Sequence, residues 1–380
     1  MSDFKLNILG CGSATPSLRH LPACQVIDYR GSLMMIDCGE GAQLSMRRQR
    51  LKFSRLNHIF ISHLHGDHCL GLPGLLSTLA LQDKGGTVTV HTFADGVKIF
   101  SEIMDFFCRE RPFDLQFNVV DPTRRQTVLD LPGLAVEAIP LRHRVPCVGY
   151  IFREKPKPRH LRGDMVKFLE IPVSKLHDIK CGADYTAPDG RIFANDMLTT
   201  PADPAISYAY CSDTVFTPSL AREVEGVDWL YHEATYTDEA SVRARERYHS
   251  TASEAARIAA DAHVGHLLLG HFSKAYTDES THLAEARAIF PSTTVCTEGQ
   301  VFDLANHYCM ADDFINIGTS LAMYNLVSSV LAISLRWYGT YLCHIKCAEI
   351  QIISRKAMSL LCIGDYLSFR IRIGRITLRL

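Results

Sequence analysis

The 380-residue sequence predicts a layered α/β protein, two sheets in contact with helices outside. Three observations predict it. Short apolar runs ending in Gly, Pro or turn residues alternate with stretches of helical spacing in both halves of the chain. Hydrophobic residues make up 47% and charged residues 21%, which suits a sizeable core. Several of the apolar runs end in a histidine or an aspartate, as expected where a site gathers on one rim of a sheet.

Taken in order, "FKLNILGCG", "CQVIDY" and "LMMIDCG" read as consecutive strands, followed by a helix from about Glu40 to Arg50. "HIFISH" is a buried strand and "LPGLLSTLALQ" a helix. "TVTVHTF" returns as a strand before the helical "GVKIFSEIMDFFCRE". "LAVEAIPLRH" and "VGYIFRE" are strands again. Residues 153 to 205 change character. "REKPKPRHLRGDMVK" is basic and broken by proline, and "CGADYTAPDGRIF" is rich in turn residues, so this segment reads as an insertion or arm. Core resumes with "AISYAYCSDT" and "VDWLYHEAT". "TASEAARIAADAH" is a helix with Glu254 placed for an N-terminal capping box, and "HLLLGHFS", "TVCTEG" and "QVFDL" complete the series.

The formal net charge is -1, so a polyanionic partner needs a local basic patch. Thirteen cysteines are scattered singly with no disulfide framework, and "MSDFKLNILG" lacks the features of a signal peptide. A reduced, cytoplasmic protein is expected. Residues 305 to 380 differ in style. "YNLVSSVLAISL" is apolar for only 12 residues, short of the roughly 20 that a membrane span needs. No membrane role is expected. "CHIKC", at Cys343, His344 and Cys347, has no second half at useful spacing for a metal site. The tail is read as an appended element or a poorly specified terminus.

The chemistry concentrates in "SHLHGDH". His63, His65, Asp67 and His68 fall within six positions, after a buried strand and before a helix. Imidazole nitrogens and a carboxylate suit zinc, and four such ligands suggest two ions a few ångström apart. Two tetrahedral ions need more ligands. His143, Asp213 and His271 each stand just past an apolar strand, as His63 does. Asp213 is the natural bridge, since a carboxylate can offer one oxygen to each ion. The first site is then His63, His65, His143 and Asp213. The second is Asp67, His68, His271 and Asp213.

"SHLHGDH" with "LRH", "CSDT" and "LGHFS" resembles the metallo-β-lactamase superfamily. "HEAT" at His232 to Thr235, "HST" at His249 to Thr251, and the opening "LGCGSATPSLRHLPACQVI" and "LMMIDCGEGAQLSMRR" resemble the ribonuclease Z family, which matures tRNA 3′ ends. The resemblance runs from about residue 4 to 304. It implies a four-layered αβ/βα sandwich, two zinc ions per chain, usually a homodimer, and an arm that grips precursor tRNA. That arm is expected at about residues 153 to 200, in a nuclease domain of residues 1 to 304. Its "FLEIPVSKLHDIKCGADYTAPDG" departs from the Gly-Pro-rich arm tips common in the family.

The chemistry implied is phosphodiester hydrolysis. Two zinc ions would activate water and stabilise charge on the attacking and leaving oxygens. Asp67 can accept or orient the water's proton, and His249 is the expected donor to the leaving 3′ oxygen. His232 and Glu233 are expected to orient metal ligands or the His249 loop. Arg153, Lys155, Lys157, Arg159 and Arg162, with Lys167, set six basic residues against two acidic ones over residues 153 to 167, a net of +4 suited to phosphates. "MRRQRLKFSR", residues 46 to 55, carries five more and reads equally as a solvated helix face or a second backbone contact. Another hydrolase of the superfamily, such as a thioesterase, lactamase or small phosphodiesterase, is the first alternative. The second is an inactive RNA-binding relative. The arm and "HEAT" weigh against the first, and the seven filled ligand positions against the second.

Overall fold

The structure is a computed structural model that describes residues 4–306 and 308–310, with strand segments at 362–363, 366–367, 370–373 and 376–379. The "CHIKC" and "YNLVSSVLAISL" motifs lie outside the described residues. By internal contacts the chain divides into Met1–Asp312 and Asp313–Leu380. In the second unit the described residues form two hairpins, Cys362–Ile363 with Tyr366–Leu367 and Arg370–Ile373 with Ile376–Arg379. Among the described residues no helix is long and apolar enough to cross a membrane.

The first unit holds two mixed sheets. One has eight strands in the order Tyr308–Met310, Val301–Asp303, Phe4–Gly10, Cys24–Tyr29, Ser32–Ile36, Leu56–Phe60, Thr87–Thr92, Asp114–Val119. The other has seven: Thr293–Val295, His266–Gly270, Trp229–Glu233, Ser207–Cys211, Cys147–Glu154, Leu134–Leu141, Gln126–Asp130. Side chains alternate across a strand, and here both faces are apolar, so adjacent residues join different cores. Met34 and Ile36 pack between the sheets with Phe4, Phe60, Tyr150 and Tyr210. Leu33 and Met35 face the helices Gly71–Leu81 and Ala94–Phe107 through Leu72, Leu76, Phe100 and Met104. On the far side of the second sheet lies the helix Ala252–Asp261, contributing Ala255, Ile258 and Ala259. Helix, sheet, sheet, helix is the four-layered order. Thr251 and Glu254 form a complete capping box at that last helix.

Three tyrosines of the second sheet reach across to the first. Tyr150 donates to the Ile61 carbonyl at 2.8 Å, Tyr210 to Asp37 at 2.7 Å, and Tyr208 to Gln25. Such hydrogen bonds fix one sheet against the other where apolar packing alone would allow sliding.

The structure adds elements absent from the sequence reading. Asp114–Val119 and Gln126–Asp130 are strands at outer edges, half exposed, and too polar to stand out as apolar runs. The helices Ser241–Arg247 and Ser280–Arg287 were likewise not foreseen. Two boundaries also move. Tyr308–Met310 extends the first sheet past residue 304. Arg153 and Glu154 belong to the second sheet, so the insertion proper joins two neighbouring antiparallel strands through residues 155 to 206. It contains the short helices Gly163–Phe168 and Val173–Lys180, a small hairpin of Tyr185–Thr186 with Ile192–Phe193, and a two-stranded pairing of His160–Leu161 with Thr199–Thr200 across its base. Its own apolar cluster is built on Ile171, Ile179, Tyr185 and Leu198.

Candidate metal centre

The strands Ser32–Ile36 and Leu56–Phe60 run parallel in one sheet, and Ser207–Cys211, Trp229–Glu233 and His266–Gly270 run parallel in the other. Loops therefore gather at their C-terminal ends, the usual place for a ligand in an open α/β sheet. Asp37, Asp213 and His271 stand one or two residues past these ends with φ of 55°, 49° and 60°. A left-handed backbone is uncommon outside glycine and persists where surroundings impose it, often at functional sites. The loop after Phe60 passes through His63 and His65 into the short helix Gly66–Cys69, which carries Asp67 and His68. This loop needs a glycine behind it: a Cβ on Gly71 would fall on the Gly39 carbonyl oxygen.

All seven expected ligands converge. His63 Nε2 lies 2.9 Å from His65 Nδ1, which is 3.3 Å from His143 Nε2. Asp213 Oδ2 is 3.6 Å from both His63 Nε2 and His143 Nε2. Its other oxygen, Oδ1, turns to the second set, 3.2 Å from His68 Nε2 and 3.0 Å from His271 Nε2. Asp67 Oδ2 joins that set at 3.5 Å from His68 and 3.6 Å from His271. Imidazole nitrogens and carboxylate oxygens thus aim at two adjacent points with Asp213 between them. His63, His143, Asp213, His68 and His271 are almost wholly buried, apart from the edge of the His143 residue.

The electrostatics fit cation binding. Burial depresses the pKa of His63, His65 and His143, keeping them as neutral nitrogen donors. Burial opposes the charge of Asp213, but His271, His68 and His63 outweigh it and hold the carboxyl well below its ordinary range. Asp67 behaves alike, with hydrogen bonding from His271 and the charge of His68 overcoming burial. His68 shifts upward, since Asp213 and Asp37 overcome its burial. Buried carboxylates in that concentration call for positive charge.

The supporting contacts include a residue that sequence reasoning missed. Asp37 accepts from His68 Nδ1 at 2.7 Å, Ser62 Oγ at 2.8 Å, Tyr210 at 2.7 Å and the Ser62 amide at 2.7 Å. A carboxylate behind a ligating imidazole fixes its tautomer and orientation. His271 Nδ1 meets Thr235 Oγ1 at 2.9 Å, and His143 Nδ1 donates to the Tyr248 carbonyl at 3.0 Å.

His249 stands beside the cluster. Its Nδ1 donates to Glu233 at 2.9 Å, and Glu233 also accepts from the Thr214 amide at 2.7 Å. Burial lowers the His249 pKa, but the Glu233 charge outweighs it and the group is pushed up to about 9. His232 does not share this role. Its ring faces away from the ligands and donates from Nδ1 to the Glu233 carbonyl at 2.8 Å, while Nε2 is buried without a hydrogen-bond partner. Adjacent strand residues point to opposite faces, so Glu233 and His232 could not both reach the site.

A cavity of about 530 Å³ opens over the cluster, lined by His65, Asp67, Asp213, His249 and His271. Arg144, Arg243, Arg247 and Lys274 also line it, four cations that the sequence analysis did not single out because they are scattered along the chain. Of the six basic residues counted over residues 153 to 167, five are paired with carboxylates. Arg153 lies 3.7 Å from Glu137, and Lys155 pairs with Asp130 at 2.5 Å. Lys157 pairs with Glu154 at 2.7 Å, Arg159 with Asp196 at 2.6 Å and Arg162 with Asp164 at 3.1 Å. Glu154 and Asp164 are already counted in the local +4; Asp130, Asp196 and Glu137, the last shared with Arg125, offset part of what is left.

Fold and site define a metallo-β-lactamase-fold protein with a cluster of candidate metal ligands. Human tRNase Z, short form, superposes with a TM-score of 0.57 at 23% identity, covering 79% of this chain and 99% of that one. The metallo-β-lactamase fold protein YhfI from Bacillus subtilis gives 0.56 at 17% identity, over 79% and 98%. A family model described as anti-Pycsar protein Apyc1 matches residues 4–95. Ribonuclease Z of Parabacteroides distasonis is 50% identical over 299 residues, 79% of this chain and 98% of its own length. Ribonuclease Z of Bacteroides fragilis is 48% identical over 304 residues, 80% of this chain and 100% of its own length. The chain belongs to the ribonuclease Z family.

Proposed function

We infer that the chain is a zinc-dependent endoribonuclease that removes the 3′ trailer from precursor tRNA, leaving a 3′-hydroxyl on the tRNA. The observation that carries this reading is the pair of donor sets sharing Asp213 in a member of the ribonuclease Z family. His63, His65, His143 and Asp213 would hold one ion, and Asp67, His68, His271 and Asp213 the other. Two zinc ions there would supply Lewis acidity toward the phosphoryl oxygens and acidify water.

The chain's own groups do the rest. Asp67, kept ionised, accepts the proton of the attacking water. His249 has Nδ1 committed to Glu233, which leaves Nε2 to protonate the departing 3′ oxygen, and its raised pKa keeps it charged at neutral pH. Glu233 orients His249 and sustains that charge. Arg144, Arg243, Arg247 and Lys274 offer the phosphate contacts nearest the chemistry. The insertion serves as the arm that meets the tRNA body by shape and backbone. Arg153, Lys155, Lys157, Arg159 and Arg162 bind phosphate there only by exchanging their present carboxylate partners. A homodimer working in the cytoplasm completes the reading. Free thiols at Cys24, Cys38, Cys69, Cys147 and Cys211 suit a reducing compartment.

The deciding experiment compares a precursor tRNA bearing a 3′ trailer with bis(p-nitrophenyl) phosphate, the cut site being mapped. Endonucleolytic cleavage at the trailer junction is expected. Turnover of the small ester alone would move the assignment to a small phosphodiesterase. Turnover of neither, in zinc-loaded protein, would favour an inactive RNA-binding relative.

A further inference from the structure

The strand Phe4–Gly10 ends beside the metal pocket, and residues 11 to 22 make an excursion along its wall before Cys24–Tyr29 begins. Ser13, Ala14, Thr15 and Pro16 line the cavity. At the turn, the Ala14 amide donates to Asp67 Oδ2 at 2.7 Å. That oxygen is also the one nearest His68 and His271. The amide therefore fixes the rotation of a carboxylate whose other oxygen makes no hydrogen bond among the described residues. To present this amide, Ala14 adopts φ 58°, a left-handed conformation unfavourable for alanine. Such a conformation lasts only where neighbouring contacts over-determine it.

Next to Ala14, the Ser13 amide and Oγ donate to the Phe272 carbonyl at 3.0 and 3.1 Å. The remaining contacts meet at His20, a buried histidine outside the two donor sets. Its Nδ1 donates to Glu298 Oε2 at 3.0 Å. Its Nε2 lies 3.1 Å from Glu279 Oε1, which also receives the Arg19 guanidinium. Glu298 in turn accepts the amides of Cys11 at 3.2 Å and Leu21 at 2.9 Å, the two ends of the excursion. Burial works against charge on His20, but Glu298 and Glu279 outweigh it and raise its pKa. Cys11 Sγ stands 3.4 Å from His20 Nδ1 and 3.5 Å from Glu298, a spacing that a small cation could also use. The hydrogen bonds are complete without one. The thiol donates to the Cys296 carbonyl at 3.3 Å, and burial pushes its pKa well up, so it stays protonated.

We propose that His20 is a positioning residue for hydrolysis: by bridging Glu298 and Glu279 it holds the Gly12–Leu21 loop in the conformation whose Ala14 amide orients the Asp67 carboxylate. The proposal rests on the reading of Asp67 as the group that acts on water. His20 touches none of the seven donors; it reaches them through the Ala14 amide and, by its ring contact 5.8 Å from that of Phe272, through the residue that follows His271. A small displacement of a reacting group costs as much as about 100-fold in rate. A loosened loop falls within that range.

The test uses the full zinc-loaded chain. In H20A, kcat should drop about tenfold or more on precursor tRNA and on bis(p-nitrophenyl) phosphate alike, with KM for the small ester unchanged. Zinc content should equal that of the parent, and hydrogen exchange should quicken in peptides covering residues 12 to 21. E279Q takes the charge from one end of the bridge and covers the case in which H20A does not fold. A smaller fall in kcat and the same exchange signature are expected of it. Unchanged kcat in a folded variant, even with a lowered Tm, would reduce His20 to a stability role and overturn the proposal. A third zinc ion in the parent that is missing from H20A would overturn it too, by making Cys11, His20 and Glu298 ligands. If the parent cleaves bis(p-nitrophenyl) phosphate but not precursor tRNA, the functional reading fails while the bridge is still measured on the small ester.

Discussion

At the scale of single residues, Asp37 and His68 illustrate how a ligand is prepared. His68 is wholly buried and would favour neutrality, but one nitrogen faces Asp213 and the other donates to Asp37. Asp37 thereby decides which nitrogen is free to bind a cation. D37N should lower zinc affinity about 10- to 100-fold, which a competition titration against a chelator measures. Asp67→Ala is expected to abolish cleavage while tRNA binding, followed by gel shift, survives. Loss of binding in a folded D67A would mean that the site holds substrate instead of cutting it. Glu233 sets the pH range of His249. If protonated His249 is required, kcat falls as pH rises through about 9. Glu233→Gln removes the charge that raises this pKa, so the alkaline limb should move down toward the ordinary 6.5. An unmoved limb would assign it to another group. Much of this was legible beforehand, because His63, His65, Asp67 and His68 crowd six positions. Asp37 was not. It is a lone acid after a strand, and its partners lie 31 and 173 residues away.

At the scale of elements, position relative to a strand end carried the reading of His143, Asp213 and His271, because parallel strands bring their C-terminal loops to one rim. His232 was expected from the motif "HEAT" instead, and strand alternation separates it from Glu233, its ring bonding the Glu233 carbonyl. The insertion shows a different limit. Its basic residues can be counted in sequence, whereas Asp130, Glu137 and Asp196 reach them only through tertiary folding. Removing residues 156 to 190 should weaken cleavage of precursor tRNA at least tenfold while sparing bis(p-nitrophenyl) phosphate. Its apolar cluster of Ile171, Ile179, Tyr185 and Leu198 stands apart from the main cores, so the sheets do not depend on it for packing. Equal loss on both substrates would refute the arm assignment.

At the scale of the whole molecule, the two sheets make unequal gifts to the site. The first provides His63, His65, Asp67 and His68 from a single loop. The second provides His143, Asp213 and His271 from three. Neither sheet owns a complete donor set. Ending the chain after Asp312 retains every donor and both cores, so kcat should stay within about twofold, a change inside ordinary mutational scatter. With that division of donors, each bound ion would be a rivet through the seam that Tyr150, Tyr208 and Tyr210 already stitch. Ligand bound only by the folded state adds about 2.7 kcal/mol at a hundredfold excess over Kd. Melting temperature should therefore climb with free zinc, and a thermal scan becomes a gauge of occupancy. Because both rivets would pass through the one carboxylate of Asp213, removing either should loosen the other.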